Sequence, residues 1–101
     1  MSEVRLPAPV PAIELSRETF RARDEPGSFY LEDEGEGAFL FWYRCPCGCG
    51  AKGALFVGKN LKPNGQPSWE WNGSRSAPTL RPSVNHVGHW HGWLTDGAWH
   101  Q

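Results

Sequence analysis

The sequence predicts a small all-β domain, an antiparallel sheet preceded by an extended, proline-rich N-terminal arm. Three observations carry this reading. Gly 12 and Pro 9 make up about a fifth of the 101 residues, a composition of turns and extended segments rather than long helices. Short aromatic runs recur between turn signals, the pattern of strands. No coiled-coil period, internal repeat or membrane-length apolar stretch interrupts them.

The arm comes first. Pro7, Pro9 and Pro11 alternate with other residues, fixing every second φ near −65° and withholding amide donors, so residues 6–11 are expected to be extended. Residues 13–22 hold a candidate short helix, with Ser16 as N-cap and Glu18 in the first turn. Residues 1–27 are therefore read as an extended or disordered arm and residues 28–101 as the β domain. A charged n-region is missing from the first residues, so a secretory leader is not expected and the chain reads as cytoplasmic.

Residues 29–31 and 38–44 read as a hairpin across an acidic, glycine-punctuated turn at 32–37. Residues 54–57 form the next strand and 60–67 a surface loop around Pro63-Asn64-Gly65. In residues 68–72, Trp69 and Trp71 fall on one face with Glu70 on the other, because strand side chains alternate. Pro78 and Pro82 lack a donor, which predicts that residues 77–83 stay at an edge or wander as an extended connection. Asp96-Gly97 between the aromatic runs 89–94 and 98–100 is a hairpin signal.

Charge is uneven. Residues 1–37 hold nine acids against four bases, and the remainder two acids against six bases. A net +4 spread over 64 residues is far from the dense basic stripe of a nucleic-acid binder, so two solvated faces are the simpler reading.

Chemistry concentrates at Cys45-Pro46-Cys47-Gly48-Cys49-Gly50. Three cysteines cannot make a disulfide framework, and residues two apart are poorly placed to bridge. Clustered thiolates between glycines that let the chain turn back suit a soft metal, and zinc takes four thiolate or imidazole ligands. The imidazoles come from His86, His89 and His91, with His89 and His91 on one strand face and Trp90 on the other. The expected set is Cys45, Cys47 and Cys49 with His91; an alternative drops one cysteine and adds His89 or His86. His86 and His100 otherwise read as polar strand residues. A closed four-ligand site argues for structure over catalysis, and no carboxylate neighbours the ligands to act as a base. Three clustered thiols likewise look like ligands rather than a nucleophile.

The Cys45–Gly50 run, Trp69-Glu70-Trp71-Asn72-Gly73, residues 77–84 and Trp90-His91-Gly92-Trp93-Leu94-Thr95-Asp96-Gly97 together resemble an uncharacterised family of small phage and bacterial proteins. That family is often mislabelled as ammonia monooxygenase and has relatives encoded beside bacterial ubiquitin-like conjugation genes. The resemblance covers residues 28–100 and implies a zinc-ribbon-like module without established activity. Family members carry a Cys-x-x-His pair in the C-terminal block; His91 matches its histidine, while Gly88 stands at the cysteine. Trp90-His91-Gly92-Trp93 is also similar to the second ligand box of Rieske proteins, where Cys-x-x-His holds half of a [2Fe–2S] cluster.

The function expected from sequence is a non-catalytic, zinc-stabilised binding or structural module, phage-encoded, as a virion component or an accessory protein that engages a phage or host protein. Pro7, Pro9 and Pro11 would dock on that partner. The alternatives are a small metalloenzyme and a Rieske-like redox protein holding iron or [2Fe–2S]. Neither nucleic acid nor membrane is expected as a partner.

Overall fold

A computed structural model describes residues 8–64 and 67–101. The chain forms β1 (Val10–Pro11), α1 (Arg17–Ala22), β2 (Phe29–Gly35), β3 (Ala38–Arg44), β4 (Lys52–Lys59), β5 (Trp69–Trp71), β6 (Leu80–His86), β7 (Trp90–Thr95) and β8 (Ala98–His100). All strands join one sheet in the order β1-β8-β7-β6-β5-β4-β3-β2. The all-β expectation therefore holds. Pairing is antiparallel except between β4 and β5, which run parallel.

The sheet curls around an aromatic core. Phe29 stacks on Phe41 with ring centroids 4.6 Å apart, Trp90 meets Trp99 edge-on at 5.5 Å, and Trp71, Leu80, Val84 and Leu94 fill the space between. Trp99 Nε1 donates to the Gly27 carbonyl at 3.0 Å, so its one polar atom is satisfied inside the core. Residues 10–15 bridge the two sheet edges. Val10 and Pro11 pair with Trp99 and Ala98 of β8, and Glu14 pairs with Phe29 of β2. Arg75 adds an ion pair to Glu14. Pro11 thus lies in a strand at the sheet edge, whereas Pro7 is outside the described residues.

The helix begins where the sequence places it. Ser16 Oγ accepts from the Thr19 amide at 3.2 Å, and Glu18 lies in the first turn. Six residues are too few for an isolated helix. Phe20, fully buried, meets the Tyr30 ring edge-on at 4.9 Å, and burying such a ring contributes about 2 kcal/mol.

Two boundaries differ from the sequence reading. The β2–β3 turn narrows to Glu36-Gly37, both with positive φ, because a two-residue turn of that type matches the strand twist; Glu32 to Gly35 are strand. Of residues 77–83, expected at an edge or as a wandering extended connection, 80–83 open β6, which lies in the interior of the sheet between β5 and β7. The register between β6 and β7 shifts between Leu80 and Val84, placing Pro82 in an irregularity where no ladder donor is required.

Candidate functional site

The cysteines sit in the turn between β3 and β4. The Cys45 amide donates to the Ala51 carbonyl at 2.9 Å and the Gly48 amide to the Cys45 carbonyl at 3.2 Å, closing the turn. Gly48 and Gly50 take φ of 90° and 82°, a region that side chains disfavour. Arg44, itself buried, braces the turn from beneath. Its guanidinium donates to the carbonyls of Gly50 at 2.8 Å, Phe20 at 3.1 Å and Arg21 at 3.3 Å, and lies 3.3 Å from the exposed Asp24 carboxylate.

The three sulfurs converge. Cys45 and Cys47 Sγ are 3.1 Å apart, and all three lie within 4.8 Å of one another. Tetrahedral zinc with bonds of about 2.3 Å separates sulfurs by roughly 3.8 Å, so this trio fits one face of such a site. Burial pushes the Cys45 thiol well up, helped by Cys47 and Cys49. Burial, the largest single influence, raises Cys49, but hydrogen bonds from Ala51 and the neighbouring thiols together outweigh it, so Cys49 titrates below its ordinary value.

Among the described residues, the metal-competent group comprises the three cysteines and no imidazole. His86 Nδ1 shares a 2.9 Å hydrogen bond with the Tyr43 hydroxyl, and the His89 ring stands edge-on to His86 at 5.0 Å. Burial, with the charges of Cys45 and Cys49, holds the Tyr43 phenol protonated. Burial and His89 hold His86 below its ordinary value. His89 lies in the turn before β7, not on the strand face shared with His91.

His91 faces Ser83. Strand β7 alternates strictly, with Trp90, Gly92 and Leu94 buried and His91, Trp93 and Thr95 outward. Val84 pairs with Gly92 and Asn85 with His91, which puts Ser83 diagonally across from His91 on the outer face. His91 Nε2 and Ser83 Oγ are 3.1 Å apart. The Ser83 carbonyl accepts from Trp69 Nε1 at 3.0 Å, tying the serine backbone to β5 while its hydroxyl meets β7. Beyond the imidazole, the Trp93 ring stacks at 6.1 Å and 24° and remains half exposed. A hydroxyl within hydrogen-bond reach of an imidazole nitrogen is one part of what a serine nucleophile needs, the other being a group that orients the base.

Residues 16–101 match the family model described as bacterial ubiquitination-like system serine protease (BubE). The chain belongs to this family. The match agrees with the resemblance to proteins encoded beside ubiquitin-like conjugation genes, and it extends to α1 in the arm, beyond the residues that carried that resemblance. No curated protein and no solved structure matches. In this BubE-family chain the hydroxyl that meets His91 belongs to Ser83, which the sequence alone places only in an extended connection. A signal was present: a proline inside a strand implies a bulge, and bulges often re-aim a side chain beside a site.

Proposed function

We propose that the chain is a serine hydrolase of the peptidase type, with Ser83 as nucleophile and His91 as general base. The observation that carries this is the 3.1 Å approach of His91 Nε2 to Ser83 Oγ. In that geometry the imidazole takes the hydroxyl proton as Oγ attacks a carbonyl carbon, then returns it to the leaving group. The family description, a serine protease of a ubiquitination-like system, supports a substrate in which a ubiquitin-like protein supplies the acyl side of a peptide bond. The phage-borne structural module expected from sequence is not what that description supports.

The cysteine turn reads as the structural half of the molecule. Cys45, Cys47 and Cys49 would supply three thiolates to zinc, whose chemistry there is to lock the β3–β4 turn, with the fourth tetrahedral position taken by a ligand outside the trio. Arg44 and the Tyr43–His86 bond tie that turn to α1 and to the end of β6.

The test is covalent labelling with a fluorophosphonate, mapped by peptide mass spectrometry. Label is expected on Ser83, lost in Ser83→Ala and lowered about a thousandfold in rate in His91→Ala. Label retained by folded Ser83→Ala would overturn the assignment.

A further inference from the structure

We propose that Trp93 is the specificity-determining wall of this site, seating an apolar side chain of an extended peptidyl substrate next to the scissile carbonyl. The inference rests on the Ser83–His91 reading and adds to it the class of residue the site accepts.

Among the described residues four large apolar side chains are exposed, and Trp93 is the one that lies within a named strand; Ile13, Leu61 and Val87 fall outside the strands. Its placement is dictated locally. Gly92 occupies the inward position of β7, where a Cβ would stand 1.9 Å from the His100 carbonyl and 2.6 Å from the Trp90 ring. The strand therefore lies tight against β8 with Trp93 directed outward, where it pairs with His100. On its other side the ladder leads to β6 and Ser83.

One side of the indole is used by the His91 stack; half of its surface still faces solvent. Leaving that much apolar ring exposed forgoes burial energy that a bound side chain recovers. Around it the outward positions are polar: Arg81, Asn85 and Thr95 are all exposed. The described clefts of 80–490 Å³ are lined by neither Ser83 nor His91. An outward sheet face with an exposed aromatic platform suits an extended segment lying across the strands, with one apolar side chain packed on the ring.

The experiment compares two N-acylated diphenyl phosphonates on the full chain, one with a leucine side chain next to phosphorus and one with hydrogen there. Ser83 Oγ bonds to phosphorus and phenol leaves, so inactivation rates report how each side chain is seated. Wild type is expected to react with the leucine probe about tenfold faster. Trp93→Ala should erase that preference, and Trp93→Phe should keep most of it. Circular dichroism confirms that the variants are folded. The inference fails if wild type shows no preference for leucine, if Trp93→Ala keeps the preference, or if it slows both probes alike. If neither probe modifies Ser83 in the folded wild type, the Ser83–His91 assignment fails and takes this inference with it.

Discussion

The Tyr43 hydroxyl meets His86 Nδ1 at 2.9 Å although β4 and β5 lie between their strands in the sheet. Three strand spacings span about 14 Å in a flat sheet, yet the two ring centroids are 5.7 Å apart, so the sheet must curl to bring them together. Gly53 makes the contact possible on β4: a Cβ there would stand 2.6 Å from the Tyr43 ring. Through this bond the strand that leads into the cysteine turn is fixed to the end of β6, just before the turn into β7.

That relationship sets a pH dependence. His86 is held below its ordinary value of 6.5 by burial and by His89. The unfolded chain therefore binds the proton more tightly than the folded one, and stability from this group is full above about pH 6.5 and declines as pH falls toward the lower folded value. Urea midpoints should drop between pH 7 and pH 5, and the drop should shrink in His86→Gln. An equal drop in that variant would assign the effect to other groups.

Removing the hydroxyl isolates the bond itself. Tyr43→Phe should cost about 1 kcal/mol in urea unfolding at pH 7. In a double-mutant cycle with His86→Ala, the coupling between the two positions should account for most of that loss.

Arg44 and Asp24 form an ion pair whose two halves are unequal. The guanidinium is buried and serves three carbonyls, whereas Asp24 has a side chain 78% exposed. Arg44→Leu should cost about 2–4 kcal/mol, because it removes charged hydrogen bonds to Phe20, Arg21 and Gly50. Asp24→Asn should cost less than about 1 kcal/mol. Thermal unfolding of the two variants side by side decides the point.

Gly92 is the tightest position in β7. Gly92→Ala should destabilise by about 1–3 kcal/mol or more, since the new methyl meets the His100 carbonyl rather than a yielding side chain. Gly88, where a Cβ meets nothing within 4 Å but φ is 81°, should suffer only the smaller cost of an alanine in a left-handed conformation.

The thiols should react in order. Cys49 is exposed with a lowered value and Cys45 is buried with a raised one, so iodoacetamide should alkylate Cys49 first and Cys45 last at pH 7.5 in metal-free protein. Saturating zinc should slow all three together. Protection of fewer than three would remove the unprotected thiols from the ligand set.

What the sequence determined by itself is local. Ser16 caps α1, Asp96-Gly97 turns β7 into β8, and the glycines around Cys47 fold three sulfurs into one place, because each outcome depends on residues a few positions apart. The tertiary structure decided which strands become neighbours and in what register. It put the proline-bearing β6 inside the sheet, drew His91 to Ser83 rather than to the cysteines, and joined Tyr43 to His86. Spacing along the chain says little here: a strand's partners are chosen by burying a shared apolar face, and a bulge at Pro82 sets which hydroxyl meets which imidazole.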